Sequence, residues 1–235
     1  MIAKLDKENI TKLEDKIGIN FNDKNLLLEA LTHRSFLNER SNDGLRHNER
    51  MEFLGDAVLE LVVTEYLYNN FKDPEGLLTA WRAALVNTIE LANVSQKFDL
   101  NSHILLSKGE AKDVGRARQT ILANAFEALI GAIHIDKGYE SARSFIDRFL
   151  IPELEGILEK KLYKDPKSLL QEKAQELVDI TPSYKVSEEW GPDHAKIFRI
   201  AVLFGDKMVG EGVGPSKQDA QRAAAEDALH KMEWD

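Results

Sequence analysis

Three acidic side chains recur at helical spacing within one apolar stretch. Residues 47–63 read HNERMEFLGDAVLELVV and place Glu49, Glu52 and Asp56 at intervals of three and four. On an α-helix these carboxylates lie within about 60° of one another, and the apolar residues around them predict a mostly buried helix. Like charges about 4 Å apart repel by about 4 kcal/mol at an effective dielectric constant of 20. Because this helix has no lysine and only Arg50 lies near its start, the pattern predicts a divalent metal site, most simply for magnesium.

A second stretch offers two further oxygen ligands. Residues 121–133 read ILANAFEALIGAI, in which Asn124 and Glu127 are the only polar side chains and share one helical face. An isolated buried glutamate is costly, whereas packing against the first acidic helix would complete an oxygen-only magnesium site. The absence of any Glu-x-x-His disfavours a di-iron bundle. A solvated helix face is the usual explanation of a single acid, and we keep it for Glu60, which continues the first stripe.

Both stretches belong to a half of the chain that is helical throughout. The helices predicted there cover residues 25–31, 47–63, 79–98, 119–135 and 141–162, the last bent or broken at Pro152. Beyond a charged stretch around Pro166, residues 168–178 and 216–232 predict helices, and residues 183–190, 197–204 and 208–213 predict strands, with a hairpin turn at Gly205-Asp206. We therefore predict an all-α domain at 1–160, a linker at 161–166 and a small α+β domain of order α-β-β-β-α at 167–235.

The composition bounds the class of protein. The chain has 235 residues, enough for two domains, and no cysteine, which excludes disulfides and thiolate metal sites. Its first residues lack the apolar core of a signal peptide and no apolar run reaches 18 residues, so we expect a soluble, cytoplasmic protein without a membrane partner. The net charge of −9 argues against broad polyanion binding, so nucleic-acid contacts must come from local features.

Four ordered motifs resemble those of bacterial ribonuclease III. They are LTHRSF at 31–36, NERMEFLGDAVLEL at 48–61, PEGLLTAWRAALV at 74–86 and ILANAFEALIGAIHIDKGY at 121–139. The last part of the chain is similar to the family's double-stranded-RNA-binding domain, through DPKSLLQE at 165–172, GPDH at 191–194 and GEGVGPSKQDAQRAAAEDAL at 210–229. The resemblance implies an all-α endonuclease domain that also dimerises, followed by a double-stranded-RNA-binding domain.

The resemblance assigns roles to the acids. It implies that Glu52, Asp56 and Glu127 bind metal and catalyse, while Glu49 and Glu75 lie nearer the edge of the site and help to position water, metal or RNA. The family usually has aspartate where this chain has Asn124, which offers a neutral carbonyl oxygen as metal ligand and should weaken magnesium binding. The implied activity is hydrolysis of double-stranded RNA with one or two Mg²⁺ ions per site. It leaves 5′-phosphate and 3′-hydroxyl ends and serves ribosomal-precursor and messenger-RNA processing.

The resemblance also implies how RNA is held. The residues expected to contact the two minor grooves are Ser168, Gln171 and Glu172 on one helix, and His194 in a loop. Lys217 is expected at a phosphate, at the start of the last helix. Gln218 stands where a second lysine is usual, which predicts weaker and more salt-tolerant binding. Residues 166–235 carry 9 lysines and arginines against 13 aspartates and glutamates, so recognition must be geometric.

Cleavage of both strands implies a homodimer, and two interpretations stay open at this point. Phe53 matches an aromatic residue that the family inserts into the partner subunit, but it could equally be an ordinary core residue. A noncatalytic duplex-RNA-binding protein that keeps the nuclease fold is made conceivable by Asn124, although the other acids are present. A helical magnesium enzyme acting on small phosphates is a further alternative, which gives the last domain no role.

Overall fold

The computed structural model describes residues 2–39, 44–112, 115–192 and 195–234. The chain divides into two compact units, Met1–Tyr163 and Lys164–Asp235. The α-helices of the first unit are α1 (Ile2–Ile17), α2 (Lys24–Ala30), α3 (Arg34–Asn38), α4 (Glu49–Asn70), α5 (Glu75–Leu85), α6 (Thr88–Gln96), α7 (Arg116–Lys137), α8 (Tyr139–Phe149) and α9 (Glu153–Glu159). The second unit contains α10 (Pro166–Val178), β1 (Ser183–Trp190), β2 (Ile197–Phe204), β3 (Lys207–Gly214) and α11 (Lys217–Met232). This order confirms the predicted fold class.

Helix α7 forms the centre of the first unit. From residue 121 to residue 133 every side-chain position is buried except Asn124 and Glu127, because α2, α4, α6 and α8 all pack against this helix. Phe126 joins a cluster with Phe98, Phe145 and Phe149, whose ring centroids lie 5.0 to 6.3 Å apart. Among the described residues, no helix combines the length and apolar character needed to cross a membrane.

Two glycines allow α4 and α7 to cross with their backbones in contact. A Cβ atom added at Gly55 would lie 1.7 Å from the carbonyl oxygen of Glu127, and one added at Gly131 would lie 2.3 Å from that of Met51. Any larger residue at either position would therefore force the helices apart. The crossing places the acidic stretches of α4 and α7 next to each other.

The start of α4 is fixed by a buried asparagine. Asn48 is 2% exposed. Its side-chain amide donates to the carbonyl oxygen of Ala30 at 3.3 Å, and its backbone N–H donates to the carbonyl oxygen of Thr32 at 2.9 Å. Thr32 in turn forms a parallel bridge with Leu105. The segment before α4 is thus tied to two other parts of the fold, which sets where the acidic helix begins.

Three features of the first unit differ from the sequence-based expectation. The single helix predicted over residues 79–98 is wrong: the chain forms α5 and α6, because the Asn87 side chain accepts hydrogen bonds from the N–H groups of Ile89 and Glu90 and starts a new helix. Helices α1 and α3 were not predicted. In α1, charged residues separate Ile10, Leu13 and Ile17, which nevertheless share one buried face.

The second unit packs a three-stranded antiparallel sheet, of order β1-β2-β3, against its helices. A two-residue turn at Gly205-Asp206 joins β2 to β3, as predicted. Gly210, Gly212 and Gly214 belong to β3, which extends one residue beyond the predicted strand at each end. A Cβ atom at Gly212 would lie 2.2 Å from the Ala224 nitrogen, so strand and helix are in backbone contact.

The helix crossing can be tested with Gly55→Ala. The added methyl group meets backbone, which cannot rotate away, so we expect a loss of about 1–3 kcal/mol or more in unfolding free energy, which exceeds the helix-propensity gain of about 1 kcal/mol. Gly156→Ala in α9 is the matched control, because nothing lies within 4 Å of its added Cβ. We expect this control to be neutral or stabilising in urea unfolding. Equal stability of Gly55→Ala and the wild type would contradict a close crossing.

Candidate active site

Helices α4 and α7 bring together the central acids. Glu52 and Asp56 lie one turn apart on α4 and interact electrostatically with Glu127 of α7. Glu127 and Glu52 are half-buried, whereas Asp56 is exposed. The side chain of Asn124, one turn before Glu127, hydrogen-bonds to the Glu52 carboxylate. The two stretches therefore form one polar group of side chains at the helix crossing.

The electrostatics of this group show uncompensated negative charge. Burial, followed by the charges of Asp56, Glu52 and Glu60, raises the pKa of Glu127 from 4.5 to about 8. The pKa of Glu52 is also raised, by burial first and then by Glu49, while the hydrogen bond from Asn124 opposes the shift. Each carboxylate thus disfavours ionisation of its neighbours, and a cation placed among them would remove that cost.

The expectation that the acidic helix is mostly buried is wrong. One side of α4 packs into the core through Val58, Leu59, Val62 and Val63, but Phe53, Ala57 and Leu61 are exposed together with Asp56. Phe53 is 80% exposed, which excludes an ordinary core position within the single chain. The acids therefore lie between the buried and the solvent-facing sides of α4, where an ion and an extended substrate could both reach them.

The residues present fit a hard divalent cation by their chemistry. The donors are carboxylate and amide oxygens, which Mg²⁺ prefers, and the raised pKa of Glu127 records their mutual repulsion. Within the described part of the chain, no three histidine or acidic side chains converge closely enough to form a ready metal site. The fit to a cation therefore rests on the chemistry of the donors.

Glu49 lies at the outer end of this group, in contact with Arg34 and His47. Its carboxylate lies 3.5 Å from the Arg34 guanidinium and 3.7 Å from Nδ1 of His47. Its charge still contributes to the raised pKa of Glu52. Glu49 is thus placed at the rim, where its charge is shared with side chains that come from outside α4.

Glu60 belongs to the electrostatic environment of the site. The sequence-based interpretation of Glu60 as part of a solvated helix face did not include this role. It is among the charges that raise the pKa of Glu127. Its carboxylate accepts from Nε of Arg82 at 2.9 Å, and the same guanidinium donates to Oγ1 of Thr64 at 2.8 Å. The spacing of Glu60 from Asp56 could have indicated this position, but the contact with Arg82 joins α4 to α5 and has no local sequence signal.

Glu75 is set apart from the central acids. It is the first residue of α5, is exposed, and lines an open cavity of about 640 Å³ between α4 and α5, with Arg82, Tyr68 and Lys72. Among the described side chains, it is not one of those that shift the pKa of Glu52 or Glu127. The structure therefore places Glu75 away from the carboxylate group of α4 and α7.

The predicted RNA-contacting residues of the second unit fall on two surfaces. Ser168, Gln171 and Glu172 are all exposed on one face of α10, where the Ser168 hydroxyl also hydrogen-bonds to Asp165. Lys217 is exposed in the first turn of α11, with its ammonium 5.6 Å from the centroid of the Phe198 ring. The predicted contact at His194 lies outside the described residues.

Both units match known protein families. Residues 23–154 match the family described as Ribonuclease-III-like, and residues 166–232 match the Double-stranded RNA binding motif. The protein named Ribonuclease 3 from Protochlamydia amoebophila is 44% identical over 222 residues, which cover 94% of this chain and 91% of that protein. The Ribonuclease 3 of Campylobacter jejuni is 43% identical over 226 residues, which cover 96% and 98% of the two chains.

A solved structure supports the same relationship. The nuclease domain of ribonuclease III from Campylobacter jejuni is 46% identical, gives a TM-score of 0.55, and covers 61% of this chain and 99% of that chain. Its sequence match and its helical fold both fall on the first unit, which carries the acids of α4 and α7. The chain therefore belongs to the ribonuclease III family of endoribonucleases.

Proposed function

We propose that this protein hydrolyses phosphodiester bonds of double-stranded RNA with bound Mg²⁺, leaving 5′-phosphate and 3′-hydroxyl ends. The observation that carries the proposal is the electrostatic coupling of Glu52 and Asp56 to Glu127 across the helix crossing. The family resemblance supports a cytoplasmic role in processing ribosomal-RNA precursors and messenger RNA. The match of residues 166–232 to an RNA-binding motif supports duplex RNA as substrate rather than a small phosphate.

The residues that would hold one or two magnesium ions are Glu52, Asp56, Asn124 and Glu127. All four offer oxygen ligands. Three of them carry charges whose repulsion is otherwise unrelieved, as the raised pKa values of Glu52 and Glu127 indicate. Asn124 would contribute its neutral amide oxygen, while its amide nitrogen donates to the Glu52 carboxylate. A bound cation would favour the ionised form of Glu127, so metal binding would release a proton near neutral pH.

Cleavage to the proposed ends breaks the bond between phosphorus and O3′. The oxygen of a water molecule bonds to phosphorus, and O3′ leaves and takes up a proton. Bound magnesium would supply charge neutralisation at the phosphate and a lowered pKa of water. The carboxylates of Glu52, Asp56 and Glu127 would hold the metal and accept hydrogen bonds from water, which orients the nucleophile. Glu49, held by Arg34 and His47 at the rim, adds a further hydrogen-bond acceptor for water or for RNA hydroxyls.

The second unit supplies duplex recognition in this proposal. The face of α10 with Ser168, Gln171 and Glu172 presents neutral and acidic hydrogen-bonding groups, which suit the 2′-hydroxyls of an RNA minor groove rather than phosphates. Lys217 supplies a phosphate contact, and His194 is proposed for the next minor groove. Glu75, on the first unit, is proposed to help position RNA beside the site.

A homodimer is proposed because one such centre cuts one strand. Exposed apolar residues form a stripe along α4, with Phe53 80%, Leu61 50% and Tyr68 73% exposed. Side chains at these spacings lie within about 80° on one side of a helix. The nuclease domain from Campylobacter jejuni is described as structurally flexible in a region involved in dimer formation. The stripe supports a second copy of the chain as the partner, with Phe53 inserted into it.

The function is tested with Glu127→Gln and an end-labelled RNA duplex, with and without magnesium. We expect the wild type to cleave only with magnesium and to leave 5′-phosphate ends. The cleavage rate of the variant should fall at least ~100-fold. That loss exceeds the ~10- to 100-fold effect of removing a residue that only supports metal ligands. Duplex binding without magnesium should be unchanged. Glu155→Gln, an exposed residue of α9, makes the same charge change away from the site and should cleave normally. Wild-type cleavage without any divalent ion would contradict the proposal.

The same substitution has a pH-dependent effect on the stability of the metal-free protein. The pKa of Glu127 is about 8 in the fold and near 4.5 when unfolded, so folded protein holds a proton that unfolded protein has lost. Its stabilising contribution is complete below pH 4.5 and is lost as the pH rises toward 8. Glu127→Gln should therefore gain stability relative to wild type between pH 5 and pH 8, as measured by urea unfolding with a chelator. Parallel stability curves for the two proteins would show that this carboxylate is not perturbed.

Asn124→Asp tests whether position 124 is a metal ligand. The substitution replaces the amide that hydrogen-bonds to Glu52 with a charge. A unit charge 4 Å from a divalent cation gains about 2 kcal/mol even in bulk water, and repulsion from Glu52 offsets part of this. We expect the magnesium concentration for half-maximal cleavage to fall about tenfold. Asn93→Asp, on α6, is the control. An unchanged magnesium dependence would count against ligation at this position.

A further inference from the structure

Most cations of the second unit are already neutralised by nearby acids. Of the 9 lysines and arginines from Pro166 onward, five form ion pairs in the described structure. These pairs are Lys173–Glu176, Lys196–Glu189, Arg199–Glu188, Arg222–Glu226 and Lys231–Asp227. Of the other four, Lys185 projects from the sheet face opposite the core-facing Tyr184, and Lys207 lies at the β2–β3 hairpin. Lys167 and Lys217 are left.

Lys167 is held by neutral groups at the start of α10. Its ammonium donates to Oε1 of Gln221 at 2.7 Å and lies 5.2 Å from the centroid of the Tyr184 ring. An amide oxygen and an aromatic face both orient an ammonium without cancelling its charge. The chain therefore places a fixed positive charge from α10 directly over α11.

The hydrogen bond to Gln221 brings the charge of Lys167 to the same helix that carries Lys217. Residues 217 and 221 are one turn apart on α11, so their side chains lie side by side on one face. Lys217 is oriented in the same manner, with its ammonium 5.6 Å from the Phe198 ring centroid. Two un-neutralised ammonium groups, each packed on an aromatic ring of the sheet, thus flank the first turns of α11.

The acids near these lysines accept hydrogen bonds from neutral groups rather than from the lysines. Asp165 accepts hydrogen bonds from the N–H and hydroxyl of Ser168, and Asp219 accepts from the hydroxyl of Ser216 at 2.7 Å. Among the described residues, neither carboxylate forms an ion pair with Lys167 or Lys217. The two positive charges therefore remain available to an anion from outside the protein.

We propose that Lys167 is a phosphate-binding residue, which adds to Lys217 a second contact with the phosphates of the RNA backbone. The inference rests on the proposed binding of duplex RNA. It assigns part of the electrostatic contact to α10, beside the hydrogen-bonding face of the same helix. One helix would then read the minor groove and, from its first turn, hold the backbone.

The test is the salt dependence of duplex-RNA binding by the full chain without magnesium, measured by fluorescence anisotropy. Each phosphate contact contributes about 0.9 to the slope of log affinity against log salt concentration. Lys167→Gln and Lys217→Gln should each lower this slope by about 0.9, and the double variant by about 1.8. When KCl rises from 50 to 200 mM, the affinity of a variant that lacks one contact should therefore fall by a factor about 3.5-fold smaller than the factor for the wild type. Lys167→Arg should retain the wild-type slope.

Lys173→Gln and Lys231→Gln are matched controls, because each removes a lysine that is already paired with an acid. We expect their slopes to equal that of the wild type. A wild-type slope for Lys167→Gln, with a lowered slope for Lys217→Gln, would overturn the proposal and leave Lys167 as a packing residue. If the wild type does not bind duplex RNA at all, the proposed function itself fails, which is a distinct outcome.

Discussion

The direct backbone contact between α4 and α7 is the constraint on which the rest of the first unit depends. Helix axes usually lie 8–10 Å apart because side chains separate them, but Gly55 and Gly131 leave no side chain at this crossing. Glu52 and Asp56 lie on either side of Gly55, and Glu127 lies one turn before Gly131. Their electrostatic coupling is therefore a geometric consequence of two missing Cβ atoms. A wider crossing would leave two separate acidic helices rather than one site.

In the described structure, the basic side chains around this centre contact its outer acids. Arg34 and His47 contact Glu49 at one end of the acidic stripe, and Arg82 contacts Glu60 at the other. The acids between them are the ones whose electrostatic interactions raise the pKa values of Glu52 and Glu127. The contacts at both ends fix the stripe in place, so the folded chain holds its central carboxylates close together. Their repulsion is relieved by protonation of Glu127 or by an added cation.

The sequence predicts the elements of this fold better than it predicts their contacts. The acidic helix, α7 and all three strands follow from hydrophobic period and turn residues, because those signals are local. The hydrophobic pattern over residues 79–98 favours one continuous helix. The cap formed by the Asn87 side chain nevertheless ends that helix and starts α6. The exposure of Phe53 and the pairing of Glu60 with Arg82 depend on which faces meet in space. Sequence spacing places Phe53 and Glu60 on α4, but it does not show which residues of other helices lie opposite them.

The second unit shows how an acidic chain can be suited to a polyanion. Its cations are mostly paired with acids, so it lacks the broad positive surface that binds nucleic acid of any sequence or form. The exposed face of α10 presents hydroxyl, amide and carboxylate groups, which can bind 2′-hydroxyls but repel or ignore phosphates. In the proposed mode of binding, weak general attraction combined with 2′-hydroxyl contacts favours duplex RNA over duplex DNA, since only the RNA offers those hydroxyls in a wide, shallow minor groove.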